Sequence, residues 1–143
     1  MKLRKALSIL GLMLTLTIML PMVHADDWNQ TTRFTFSQPV QIPGRVLPAG
    51  TYRFQLADSN HRHLVQIFRE DQTLVATLYS VPRVRDGRGL DAAITLANRG
   101  ATQPQAIVSW FFVGETQGHQ LLYPRQENQE LARATQTTFV SGK

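Results

Sequence analysis

Val46-Leu47-Pro48-Ala49-Gly50-Thr51-Tyr52-Arg53-Phe54-Gln55-Leu56 places a proline–glycine turn between two runs of strand-forming residues. Proline presets φ for a turn, and Gly50 can take a positive φ that other residues avoid. After the turn the chain alternates strictly, with Tyr52, Phe54 and Leu56 on one face, the mark of a half-buried strand. Outward from this stretch the same design repeats. Thr32 to Phe36 alternates with Phe34 and Phe36 on one face. Pro39 to Ile42 alternates and ends at Pro43-Gly44. His63 to Phe68 reads as the next strand, with a hairpin turn at Arg69 to Gln72. Thr73 to Val81 follows, and Pro82 ends it or sits at an edge.

Further along, Arg83 to Gly89 reads as a charged loop and Ala92 to Leu96 as a short strand. Gln105 to Val113 carries apolar residues on both faces, which marks a central, covered strand. Its alternation puts Ile107, Phe111 and Val113 on one side and Val108, Trp110 and Phe112 on the other. Gln120 to Tyr123 is a last strand. Pro124 suits the first position of a helix over 125–134, with Glu127 and Glu130 near its start and Leu131 and Ala134 as packing contacts. The tail from Thr135 is polar except for Phe139-Val140, and reads as a frayed end or a late edge strand. Short strands with frequent turn signals predict an all-β fold. We expect an antiparallel β-sandwich, with a small β-barrel as the alternative, and one short C-terminal helix.

The first residues predict a destination. A basic head, Lys2, Arg4 and Lys5, precedes an apolar run from Ala6 to Val23. The small residues Val23 and Ala25 flank His24 at a cleavage site. This is the pattern of a signal peptide over residues 1–25, leaving one β-rich domain over residues 26–143. An uncleaved anchor is the alternative. Pro21, the Ala25 site and the lack of a positive flank argue for cleavage, so no stable membrane anchor is expected afterwards. The expected location is secreted or periplasmic. A chain of this size buries enough surface to fold without staples, and the absence of cysteine leaves packing as its support. The three basic residues of the head leave with the leader, so the net charge falls from +5 to about +2. That is no footprint for nucleic acid.

Trp28-Asn29, Phe36-Ser37-Gln38-Pro39-Val40, Ile42-Pro43-Gly44, Leu47 to Phe54, His63 with Val65 to Phe68, Trp110-Phe111 and Leu122-Tyr123-Pro124 together resemble an uncharacterised family of short secreted proteins of acidobacterial-type soil bacteria. The shared signature is L-P-A-G-T-Y-x-F. The resemblance implies export and a β-rich domain, and it supplies no catalytic residues.

Candidate chemistry is sparse. His61 and His63 share a strand face and, with His119, are candidates for a copper or zinc site. His61-Arg62-His63 reads equally as a solvated hairpin end. No nucleophile elbow is present, and Ser109 lies in the most apolar strand as a core residue. Glu70-Asp71 falls in a turn, and Glu127 and Glu130 start the helix, so a small hydrolase is a distant alternative and no enzyme is expected. Arg83, Arg85 and Arg88 are candidates for an anionic glycan or lipid headgroup, because guanidinium binds carboxylate and phosphate in a planar, bidentate way. Trp110, Tyr79, Tyr52 and Tyr123 are either a ligand surface or core, and Trp110 reads as core. Edges near Pro39 and Pro82 suit strand addition by a partner. The expected function is a non-catalytic binding or structural module for an envelope protein or glycan. A metal-binding protein is the alternative, and otherwise no cofactor is expected.

Overall fold

Pro48-Ala49-Gly50 makes the expected turn, with Gly50 at φ +154°. Strand β4 (Gly50–Leu56) leaves it and buries Tyr52, Phe54 and Leu56 on one face. The computed structural model describes residues 31–58, 60–86 and 91–140. Around β4 a first sheet forms in the order β1 (Thr31–Phe36), β4, β5 (Leu64–Arg69), β6 (Leu74–Val84), all antiparallel. Alternation holds in β1, where Thr32, Phe34 and Phe36 are buried and Arg33 and Thr35 are exposed.

Strand β6 joins two sheets. Residues 74–79 pair with β5, whereas Ser80 to Val84 pair with β9 (Gln117–Leu121). Pro82 lies inside this second half, opposite His119, and does not end the strand. Among the described residues β6 has a neighbour on one side only here, so the missing amide hydrogen takes no ladder bond away. Arg83 and Val84, expected in a loop, therefore belong to the strand.

Beyond β9 comes β8 (Gln105–Phe111), the centre of the second sheet. On one side β8 pairs with β7 (Ala93–Ala97), which pairs with β10 (Gln136–Val140). On the other it pairs with β9 at Ser109 and Trp110 and with β2 (Val40–Ile42) at Gln105 and Ala106. The β2–β8 pair is parallel, which corrects the expectation of an antiparallel meander. Strand β2 turns through Pro43-Gly44, with Gly44 at φ +80°, into β3 (Arg45–Leu47). Proline followed by a positive-φ glycine is the arrangement of a type II turn. The sheet is not closed into a barrel, and the tail is an edge strand.

The register corrects one more expectation. Ser109 lies opposite Thr95, but Ile107 lies opposite Leu96, so Val108 is an extra residue, a bulge. Directly opposed residues share a face, and the bulge therefore puts Ile107 and Trp110 on the same side. That side is the interior. Trp110 is fully buried with its ring 6.2 Å from that of Phe54 on the first sheet, and its Nε1 donates to Thr32 Oγ1 at 3.1 Å. Phe34 meets Phe54 edge to face at 5.6 Å. Those ring contacts join the two sheets into one core.

The helix, α1 (Arg125–Arg133), starts at the expected residue, with Pro124 as its N-cap rather than its first position. It lies on the far side of the second sheet. Gln41, Ala106, Ala97 and Gln136 stand opposite one another on four consecutive strands and so share a face. Gln41 Nε2 donates to Glu127 at 2.5 Å, and Gln136 Nε2 donates to the Leu131 carbonyl at 3.0 Å. Two alanines in the middle of that row leave room for the helix, which buries Leu131. Arg99 completes the seam, 3.4 Å from Glu127 and hydrogen-bonded to Gln41 Oε1. Tyr123 closes the fork where β8 exchanges β9 for β2. Its hydroxyl donates to the Ile107 carbonyl at 2.7 Å, with the Gln41 carbonyl 3.1 Å away. Burial pushes this phenol well above the ordinary tyrosine range.

Candidate functional site

Two regions of the surface carry enough organised side chains to consider, and the first is built by β6. Where β6 leaves β5 for β9, the Ser80 amide donates to the His63 carbonyl at 2.7 Å and Ser80 Oγ lies 3.2 Å from the same oxygen. Ser80 Oγ also stands 3.4 Å from His119 Nδ1. His63, from the turn before β5, and His119, from β9, thus come to line one pocket of 180 Å³ with Arg62, Pro82, Glu115 and Gln117. His119 is buried, and its ring lies 5.4 Å from that of Trp110. Burial, with Arg62 and His63 adding to it, lowers His119 from 6.5 to about 4. At neutral pH its imidazole carries no charge, and Nδ1 faces a hydroxyl rather than a carboxylate.

His61 is not in that pocket. Its Nδ1 lies 2.8 Å from an Asp58 carboxylate oxygen on the exposed turn before β5. Hydrogen bonding from His61 holds the Asp58 carboxyl below its ordinary value. Asp58 also accepts the Asn60 and His61 amides at 2.7 Å, so this pair shapes the turn. Among the described residues, no group of three His, Asp or Glu side chains is placed to hold a metal ion. Of the three predicted ligands, the fold brings together His63 and His119.

The predicted arginine site is dispersed. Arg83 Nη2 donates to Gln136 Oε1 at 3.2 Å. Arg85 donates to the Glu115 carbonyl at 3.1 Å and the Asp91 carbonyl at 3.3 Å, and lies over the Phe111 ring at 4.8 Å. Arg88 lies outside the described residues. Trp110, Tyr52 and Tyr123 are core residues, and Tyr79 is exposed. Ser109 is fully buried.

The second region was only partly foreseen. Among the described residues, β1 pairs with β4 alone and β10 with β7 alone, so each is the last strand of its sheet. A groove of 470 Å³ runs between them. One wall is the unbroken run Arg33 to Val40, so the space follows β1 and the turn after it. The other wall comes from Ile94 and Leu96 of β7 and from Phe139 and Val140 of β10. Phe139 is 46% exposed and Val140 63%, both on a strand exposed over most of its length. Phe34 and Phe36 lie at the bottom with their rings stacked at 6.5 Å. The sequence carried two signals for this region: an apolar pair in a polar tail, and an edge near Pro39. Nothing in it joined the two.

No family model, curated protein or solved structure matches the chain.

Proposed function

We propose that the protein is an exported, non-catalytic binding module that takes an extended segment of an envelope protein as an added strand along β1, in the groove that faces β10. The observation that carries this reading is the groove itself, a space of mixed polar and apolar lining that runs along β1, the last strand of its sheet among the described residues. An edge strand offers unpaired backbone groups, and a neighbouring row of pockets selects alternate side chains. The six residues of β1 span about 20 Å at the usual rise of a strand, enough to pair with a segment of about six residues. Phe34, Phe36, Ile94 and Leu96 would receive its inward side chains. Export rests on the leader pattern in residues 1–25. A protein partner fits better than an anionic glycan, because Arg83 and Arg85 already donate to the protein's own oxygens.

The test is selection of displayed random heptapeptides on the immobilised protein, followed by hydrogen exchange. Selected peptides are expected to alternate apolar and polar residues and to slow amide exchange in β1. Their binding is expected to be lost in a Phe139→Asp, Val140→Asp double variant that melts like the parent. Selected peptides that leave β1 exchange unchanged, or that bind the double variant equally, would overturn the reading.

A further inference from the structure

Strand β10 ends its branch of the second sheet with an edge that carries none of the usual guards. Proteins blunt a strand edge with a charge, a proline, a bulge or extreme shortness. β3, which ends another branch of the same sheet, is three residues long and carries Arg45. β10 reads Gln136-Thr137-Thr138-Phe139-Val140, with no charge, proline or glycine, and its register with β7 runs unbroken over all five residues. The direction of its backbone groups follows from one bond. The Asn98 amide donates to the Thr135 carbonyl at 2.9 Å, so Thr135 and Asn98 form a hydrogen-bonded pair. In an antiparallel ladder such pairs alternate with pairs that do not bond. Thr137 with Leu96 and Phe139 with Ile94 are therefore bonded pairs, and Gln136, Thr138 and Val140 turn their amide and carbonyl groups away from β7. Among the described residues no strand pairs with that side of β10.

We propose that this edge pairs with β10 of a second copy of the chain, antiparallel about a two-fold axis through Thr138. The outward groups fix the register. With Thr138 opposite its own counterpart, Gln136 of each copy stands opposite Val140 of the other. Each of these pairs exchanges two bonds, so every outward amide and carbonyl of both strands has a partner. No other centre within the strand pairs all three residues. Side chains agree with the backbone, because directly opposed residues share a face. On the outer face the Thr138 hydroxyl already lies 3.1 Å from that of Thr95, and the pairing adds a second Thr138 to the row. On the inner face Phe139, 46% exposed, meets Thr137 of the other copy. β10 holds no charge, so the two-fold brings no like charges together, and this neutrality suits the edge to its own copy. The same patch serves on both copies, so the contact closes as a dimer. Two five-residue edges make less than a standard interface, and the dimer forms at high concentration. Thr138 does not line the groove along β1, so variants there test this contact apart from strand addition to β1.

The experiment follows sedimentation and residue-resolved amide exchange across a wide range of protein concentration. The sedimentation coefficient is expected to rise with concentration. The amides of Gln136, Thr138 and Val140 are expected to slow with it, while those of Thr137 and Phe139, already bonded to β7, stay as they are. Thr138→Pro removes an outward amide, where an edge strand tolerates proline. It is expected to weaken association roughly ten-fold or more, through the bond lost from each copy. Thr138→Lys and Thr138→Glu change an exposed position, and melting at low concentration checks that each keeps the fold. Each alone is expected to stay monomeric where the parent dimerises, since like charges then stand directly opposite, and their equal mixture is expected to associate again. A parent that stays monomeric at every concentration would overturn the pairing. So would association unmoved by all three variants, or a Lys–Glu mixture no more associated than either variant alone.

Discussion

The middle of the sandwich and its open side are made of the same materials. Both set aromatic residues of the first sheet against aliphatic and aromatic residues of the second. In the middle, Phe54 and Trp110 meet at 6.2 Å and the indole nitrogen has its partner in Thr32. At the open side, Phe34 and Phe36 face Ile94 and Leu96 across a groove of 470 Å³, and Phe139 remains half in water. Hydrophobicity does not separate the two regions. The middle lies beneath strands paired on both flanks, and the open side ends in β1 and β10, each paired on one flank among the described residues. A core closes where the backbone ladder continues over it and gapes where the ladder stops.

Substitutions can break or sharpen that contrast. The largest effect is expected at the closed centre: Trp110→Ala should cost roughly 3–5 kcal/mol, as lost burial and a cavity together, read from urea melts. Acid acts on the same spot. The folded state holds His119 at about 4, below the 6.5 of an unfolded histidine, so the unfolded chain binds the proton first. Stability is then fully present above pH 6.5 and falls as pH drops towards 4, by at most about 3 kcal/mol. His119→Gln should flatten melting temperature against pH across that window. Third is Gly118→Ala. A Cβ there would stand 2.4 Å from Phe111 Cδ1 and 2.5 Å from the Trp110 carbonyl oxygen. Backbone cannot yield as a side chain does, and about 2 kcal/mol of overpacking is expected. Gly50→Val sits nearer the open side, opposite Phe36, and its positive φ predicts a loss of about 1 kcal/mol. The smallest effect belongs to the groove wall: Phe139→Asp with Val140→Asp should change stability by less than about 0.5 kcal/mol. A large loss there would show that the open side supports the fold as the centre does.

The local grammar of this chain was legible. Tyr52, Phe54 and Leu56 fall inward as their alternation demands, Gly44 and Gly50 hold positive φ after their prolines, and Leu131 is the helix contact. The all-β class follows from those signals. What escaped depends on pairing between distant residues. The parallel match of Val40 with Gln105 leaves no mark in either strand alone. Val108 looks like an ordinary alternating residue, and only its neighbours' register makes it a bulge that turns Ile107 and Trp110 to the same side. The candidate sites failed to appear for the same reason. His63 meets His119 because β6 changes partner at Ser80, and β1 meets β10 because the two sheets end on the same side. Arg83 read as a free cation because the chain after Pro82 read as a loop, whereas the strand runs on through the proline at a sheet edge, the second of the two positions that the sequence allowed for it.

Strand β2 pairs with a segment roughly half the chain away, while β4, β5 and β6 follow one another through short turns. Closing a long loop costs entropy before its contacts repay it, so near neighbours assemble early and distant pairs late. The groove takes a wall from β1, a floor residue from β2 and a second wall from β7 and β10, the parts brought together across the longest separations. It is therefore among the last features to exist as the chain folds. Its two walls come from near opposite ends of the described chain, so the groove exists only once both sheets are in place.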